Sequence, residues 1–406
     1  MTRDNKLFSL LTEHEQWRMN ETLNLIPSEN VTSPEVRELL ASDLGHRYTL
    51  NLDMILHGVK IKNAYGGTKY TDLIEDEAEE LCKDVFNAKF CTLKPLSGHV
   101  GCLIMLSALC KPGDFIMGIN AKHGGYDGYM PEYIPSIFNL KADFLPFNEQ
   151  DWNLDHEAAH QAILEKKPRM VIIGASFFLF PYDIKPIREA CTEVGAWLGY
   201  DASHVLGLIA GGEFQDPLGD GVDIMIGSTH KTLPGPQGGL LVTNNEEVFE
   251  LASKKLAWST LDNPHQNRIA ALGQTLLEMK EFGSDYAKQV IANSKKLANS
   301  LANSGLPVKF GHRGYTETHQ ILLDIDKVEN DFKLTPMELM NLLESENIII
   351  DTMGRMGTNE MTRRGCKEEE MEQIASFMER VVVKSEKEVK NDIIEFLKKL
   401  TLAYCF

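Results

Sequence analysis

The sequence predicts an α/β fold, with a large domain on a mostly parallel sheet and a smaller C-terminal α/β domain. Three observations carry this reading. Short apolar runs alternate with amphipathic helical stretches between residues 72 and 245. Asp201 closes the strand-like run Trp197-Leu198-Gly199-Tyr200-Asp201. Lys231 sits in a Gly/Pro-rich turn, Ser228 to Gly239, between the apolar runs Val222–Ile226 and Gly239–Thr243.

In chain order, residues 7–20 read as an amphipathic arm and 21–70 as mostly irregular. Asp72–Phe86 is a charged amphipathic helix, with Thr71 as the expected N-cap. Phe90–Leu93, Phe115–Gly118 and Met170–Ile173 are strands; Val100–Leu109 and Pro186–Val194 are helices. After Asn245 the pattern turns helical, over Ile269–Glu281 and Tyr286–Asn303. A second αβ unit follows, with strands at His319–Asp324 and Ile348–Ile350 around the helix Pro336–Glu346. Helices Glu368–Val383 and Glu386–Leu397 close the chain. The expected boundary lies near residue 280, giving an arm and large domain over 1–280 and a small domain over 281–406.

Composition narrows the function. Acidic residues outnumber basic ones by 59 to 41, which argues against a nucleic-acid or anionic-membrane partner. The seven cysteines are odd in number and form no C-x-x-C pair, so they read as reduced thiols. The charged start Met1-Thr2-Arg3-Asp4-Asn5-Lys6 does not resemble a signal peptide, and the expected location is cytoplasmic. The longest apolar stretch, Val171–Tyr182, is too short for a membrane span.

The chemistry starts from Lys231. Burial lowers a lysine pKa and leaves a nucleophilic amine, which forms a Schiff base with an aldehyde such as pyridoxal phosphate. Read alone, the turn more often carries a surface lysine. Asp201 changes that weighting. Ligands of open α/β sheets bind beyond the carboxyl ends of the strands. A carboxylate there can pair with a protonated pyridine nitrogen. A strand-end aspartate followed about thirty residues on by a strand-flanked lysine is the layout of a fold-type-I pyridoxal phosphate enzyme. Ser97-Gly98-His99 opens a helix whose N-terminal amides favour an anion. His156 and His160 share a helix face, but no third ligand is evident, so no metal site is expected.

Leu25-Ile26-Pro27-Ser28-Glu29-Asn30, Tyr65-Gly66-Gly67, Ser97-Gly98, His123-Gly124-Gly125, Gly174-Ala175-Ser176, Asp201 to His204, Thr229-His230-Lys231-Thr232 and Thr362-Arg363-Arg364-Gly365 occur in this order. In this the chain resembles the serine hydroxymethyltransferases over roughly residues 10 to 385. The resemblance implies fold type I (aspartate aminotransferase-like), a homodimer and pyridoxal 5′-phosphate on Lys231. It implies phosphate contacts at Ser97 and Gly98 and at the next position, where most relatives carry a small polar residue and this chain has His99, and ring contacts at His123, Ser176, Asp201, His204, Thr229 and His230. His123 would stack on the ring, and His123 and His204 join Lys231 and Asp201 as catalytic residues. Arg355 and Ser28 would hold the substrate carboxylate, with Arg363 and Arg364 as rivals. Tyr48 and Tyr65 join the substrate site, Tyr65 reaching the neighbouring subunit.

Two departures bear on the reaction. The family's Tyr-Ala-Glu-Gly-Tyr-like segment is Arg47-Tyr48-Thr49-Leu50-Asn51-Leu52-Asp53 here, without its glutamate; Asp53 is nearby. The family's folate-contacting loop after Ile348-Ile349-Ile350 is missing, as Asp351-Thr352-Met353 runs straight into Gly354-Arg355. Gln237 and the run Leu261 to Gln266 also differ from the family; Gly235-Pro236-Gln237, Glu281 to Ala287, Tyr315 to Gln320 and Leu402-Ala403-Tyr404 resemble a divergent branch that includes archaeal-type homologues and L-threonine transaldolases. The expected activity is aldol-type transfer on Ser/Thr/Gly-like amino acids, independent of folate. The alternatives are an aminotransferase, racemase or decarboxylase on the same fold, or a paralogue that binds the cofactor without turnover.

Overall fold

The computed structural model describes residues 5–56 and 59–406; the side chains of residues 52–60 lie outside that description. The chain divides into two compact units. The larger comprises Asn30–Lys288 with Tyr404–Phe406, the smaller the residues up to Glu29 with Gln289–Ala403.

Among the described residues, the larger unit is built on a seven-stranded sheet. Its strands are β1 (Phe90–Thr92), β2 (Phe115–Gly118), β3 (Lys141–Phe144), β4 (Met170–Ile173), β5 (Trp197–Asp201), β6 (Ile224–Ser228) and β7 (Gly239–Thr243). Their spatial order is β1-β7-β6-β5-β4-β2-β3. The pairs from β6 to β3 are parallel, and β7 runs antiparallel to β6 and β1. Strands β4, β5 and β6 therefore end side by side, and the loops that follow them share one edge. Their near-continuous apolar runs are what a sheet covered on both faces requires. β3 escaped the sequence reading because Lys141-Ala142-Asp143-Phe144 is an edge strand without a fully buried position. The lysine-preceding strand begins at Ile224, two residues later than expected.

Helix α1 (Gly98–Leu109) packs Met105, Leu106 and Leu109 into a core with Ile172, Ile224, Ile226 and Leu241. Each such buried side chain contributes about 1.5–3 kcal/mol. Helix Lys69–Phe86 starts earlier than expected, with Thr68 at its N-cap, while the Thr71 hydroxyl donates to the Thr68 carbonyl. The stretch 21–70, expected irregular, contains the helix Pro34–Leu40, capped by Ser33, and the antiparallel pair Asn51–Leu56 with Val59–Asn63.

Helix α2 (Gln266–Asn303) is one continuous element where the sequence suggested two. The smaller unit pairs Leu23–Asn24 parallel with Ile348–Ile349, and Gln320–Leu322 antiparallel with Arg355–Gly357. Leu23, Leu25, Leu297, Leu301, Ile321, Leu339, Met356 and Met378 form its core. The first pairing explains why the N-terminal segment groups with residues 289–403, whereas the sequence placed it in the large domain. No helix among the described residues is long and apolar enough to cross a membrane.

Candidate active site

The loops after β4, β5 and β6 meet the N-terminus of α1 around a cavity of about 220 Å³. Ser97, Gly98, His99, Ser176, Asp201, His204, His230 and Lys231 all line it. The same cavity takes in Cys102, Tyr126, Ala175, Ser203 and Ser228, which the sequence reading did not single out.

Asp201 is buried at the end of β5. Its Oδ1 accepts the Ser203 N–H at 3.0 Å, and its Oδ2 accepts the Tyr129 hydroxyl at 3.2 Å. The Cys102 thiol lies 3.8 Å from the same Oδ2 and accepts from Tyr129 at 3.0 Å. Burial pushes both the Tyr129 phenol and the Cys102 thiol well up, so both keep their protons. Gly174, at φ +130°, lets the loop after β4 pass this point, since a Cβ there would collide with the Asp201 backbone.

The half-buried Lys231 is held by its neighbours. Thr229 accepts the Gly235 N–H through its carbonyl and donates its hydroxyl to Pro236 O at 2.6 Å. The Thr229 hydroxyl is thus spent on shaping the turn rather than lining the cavity. The Thr232 hydroxyl donates to His204 O at 2.9 Å, and Asn30 Nδ2 donates to Lys231 O at 2.7 Å. Tyr286 donates to Thr232 O at 2.9 Å. Burial, then the Lys231 charge, pushes His230 down to about 4, so its ring is neutral. Its Nδ1 is buried with no hydrogen-bond partner among the described residues.

His123 is placed differently from the expectation. Its ring stacks on Phe147 (centroids 4.6 Å apart, 7° between planes), and its Nε2 lies 2.8 Å from Glu149 Oε1. It does not line the cavity; Tyr126 does. The reason is the turn between them. Gly124 adopts φ +82°, and a Cβ on Gly125 would strike the Ile119 carbonyl. Ser176 and Phe177 donate their N–H groups to Gly124 O at 2.7 and 3.0 Å. The chain thus reverses at the two glycines and sends Tyr126 inward. Its hydroxyl lies 2.8 Å from Nδ1 of the exposed His99.

Ser28 and Arg355 belong to the smaller unit. Gly357 N–H donates to Leu25 O at 2.8 Å, and Asn359 Nδ2 donates to Glu29 O, which straps the Ser28 turn beside strand Arg355–Gly357. Arg355 Nε donates to Asp351 Oδ2 at 2.9 Å. Arg363 is 1% exposed and Arg364 9% exposed, the latter bonded to Met19 O at 2.7 Å. Tyr48 and Tyr65 are exposed in the larger unit, edge to face at 4.9 Å, and the Tyr48 hydroxyl donates to Asp262. That bond pushes Tyr48 up to about 12. The side chain of Asp53 lies outside the described residues. His156 Nε2 accepts the Asp183 N–H and His160 Nδ1 bonds Pro186 O, both at 2.9 Å, so each ring serves its own fold contacts.

The cavity suits pyridoxal phosphate on three counts. It offers an amine for the aldehyde, a buried carboxylate for the pyridine nitrogen, and the first-turn N–H groups of α1, which have no acceptor inside a helix. The buried His230 Nδ1, without a hydrogen-bond partner among the described residues, offers a further polar atom at this cavity.

The chain is 40% identical to serine hydroxymethyltransferase of Methanocaldococcus jannaschii, over 98% of this chain and 94% of that one. It is 39% identical to that of Methanosphaera stadtmanae with the same coverage. It is similar to the crystal structure of L-threonine transaldolase from Pseudomonas fluorescens in the internal aldimine state. The TM-score is 0.88 and the identity 29%, over 98% of this chain and 93% of that one. The model of the family described as serine hydroxymethyltransferase matches residues 1–378, and the chain belongs to that family.

Proposed function

We propose that the cavity holds pyridoxal 5′-phosphate and that the chain is an aldol-type transferase acting on β-hydroxy amino acids and glycine, without folate. The observation that carries this is one cavity lined by Lys231, Asp201 and the start of α1. Bound there, pyridoxal phosphate supplies an electron-withdrawing ring that takes up the electron pair left when Cα–Cβ breaks.

The chain's residues do the rest. Lys231 holds the cofactor aldehyde through its amine. Asp201, fixed by Ser203, Tyr129 and Cys102, sets a negative charge against the ring nitrogen. Ser97 and the N–H groups of Gly98 and His99 hold the phosphate. Ser176, His204 and the neutral His230 line the ring. Ser28 and Arg355 orient the substrate carboxylate, the guanidinium by a two-pronged contact. The exposed Tyr48 joins the substrate site, and the exposed Tyr65 serves a second copy of the chain. An apolar groove lined by Leu39, Tyr70, Leu73, Ile74 and Leu277 offers such a homodimer an apolar face to cover.

Folate independence follows from the missing glutamate near Tyr48 and the missing loop before Gly354. The test is acetaldehyde release from threonine, with and without tetrahydrofolate, alongside calorimetry with the folate. Release unaffected by folate, with no binding heat, is expected. Tight folate binding with folate-dependent conversion of serine to glycine overturns it. Keto acid, inverted amino acid or CO₂ in place of aldehyde would move the chain to another reaction class.

A further inference from the structure

Breaking Cα–Cβ of a β-hydroxy amino acid requires the β-hydroxyl to give up its proton, and the reverse reaction requires that proton back. The segment Arg47 to Asp53 carries no glutamate for this task. The cavity has another candidate. Tyr126 lines it together with Lys231, and the Tyr126 hydroxyl lies 2.8 Å from His99 Nδ1. Tyr126 is half-buried while His99 is exposed, so the pair leads from the cavity to solvent. The Tyr126 ring is held by an edge contact with Tyr129 at 5.6 Å and 87°, and by the pinned Gly124-Gly125 turn behind it.

We propose that Tyr126 exchanges a proton with the substrate's β-hydroxyl and that His99 relays it to water. The inference rests on the aldol reading above. In cleavage, the β-hydroxyl proton passes to the Tyr126 oxygen as the tyrosine's own proton passes to His99 Nδ1. The O–H electron pair becomes the second bond of the aldehyde carbonyl, and the Cα–Cβ pair stays with Cα. His99 then releases a proton from its exposed ring to solvent, and synthesis runs the same path backwards. His99 accepts at Nδ1 when its ring proton sits on Nε2. Burial pushes the Tyr126 phenol up to about 12. It therefore holds its proton at neutral pH and acts by handing one on as it receives another.

The test compares the unaltered holoprotein with Tyr126→Phe and His99→Ala. Three quantities are read: acetaldehyde from threonine, exchange of the glycine α-proton into D₂O by NMR, and pyridoxal phosphate affinity from titration of the cofactor-free chain. Glycine has no β-hydroxyl. Tyr126→Phe should therefore lower threonine cleavage about 10²-fold or more relative to glycine exchange, the scale of general acid–base catalysis. Cofactor affinity should stay at its original value. Added imidazole should restore part of the rate to His99→Ala, whose site is open to solvent. Undiminished threonine cleavage in Tyr126→Phe overturns the relay, as does a parallel loss of glycine exchange and cofactor affinity. Loss on Tyr48→Phe instead would assign the proton to the Tyr48–Asp262 pair. If the unaltered protein exchanges glycine but cleaves no β-hydroxy amino acid, the aldol reading itself falls and takes the relay with it.

Discussion

Tyr129 donates its hydroxyl to Asp201 Oδ2 at 3.2 Å, joining residues 72 positions apart in sequence. The bond fixes one carboxylate oxygen while the Ser203 N–H fixes the other. The protein's own groups thereby orient both oxygens of the carboxylate. Tyr129→Phe removes a bond to a charged acceptor, worth about 1.5–3 kcal/mol. The expected result is a retained fold with weaker cofactor affinity, measured by titrating the cofactor-free variant. Unchanged affinity would make the Tyr129 hydroxyl a packing group only.

Asp201→Asn keeps the shape and removes the charge. The variant should still bind pyridoxal phosphate but lose at least about a hundredfold in aldehyde release, a magnitude typical of losing one preorganised electrostatic contact. Steady-state assays with threonine check this. Full activity would count against any mechanism that builds negative charge at Cα.

Lys231→Ala should leave the fold intact and abolish borohydride-reducible attachment of the cofactor. Peptide mass mapping after reduction reads the outcome directly. An adduct recovered at another lysine would show that the reactive amine was misassigned.

Arg355→Lys should raise the KM for amino acid substrates about tenfold or more, because one charge-assisted bond is worth about 1.5–3 kcal/mol and a lysine offers no fork. Asp351→Asn should act in the same direction, since Asp351 aligns the guanidinium. Arg363 is 1% exposed, so Arg363→Lys should appear first as a lower melting temperature. A KM effect confined to Arg363→Lys would transfer the carboxylate role to it.

His230 gives a pH prediction for the cofactor-free chain. Its folded pKa, about 4, lies below the ordinary histidine value near 6.5. The unfolded chain therefore takes up a proton before the folded one does. Stability is fully present above pH 6.5, falls as pH drops, and levels off near pH 4. The shift corresponds to roughly 3 kcal/mol at most. Melting temperature against pH should show this fall, and His230→Asn should flatten it. An unchanged acid limb in the variant would place the sensitivity elsewhere.

The legible parts of the site were those where chemistry and chain position coincide. Asp201 closes one apolar run and Lys231 follows another, so the ordered pair points to the carboxyl ends of neighbouring strands. Tyr126 and His123 flank two glycines, and which one faces inward depends on a left-handed turn that pattern does not reveal. Cys102 and Tyr129 looked like ordinary core residues, because their bond to Asp201 spans 99 and 72 positions. β3 was missed for want of an apolar run, while β2, β4, β5 and β7 ran as expected.

The crossing of Gly174 over Asp201 divides the site by its tolerance to change. Any side chain at Gly174 would push on the backbone of the strand that presents Asp201, so a substitution there damages the part every substrate needs. His99 and Tyr126 stand at the opposite extreme, exposed or half-buried, with side chains bonded to each other rather than to the sheet. Libraries aimed at new acceptor aldehydes should therefore hold residue 174 fixed.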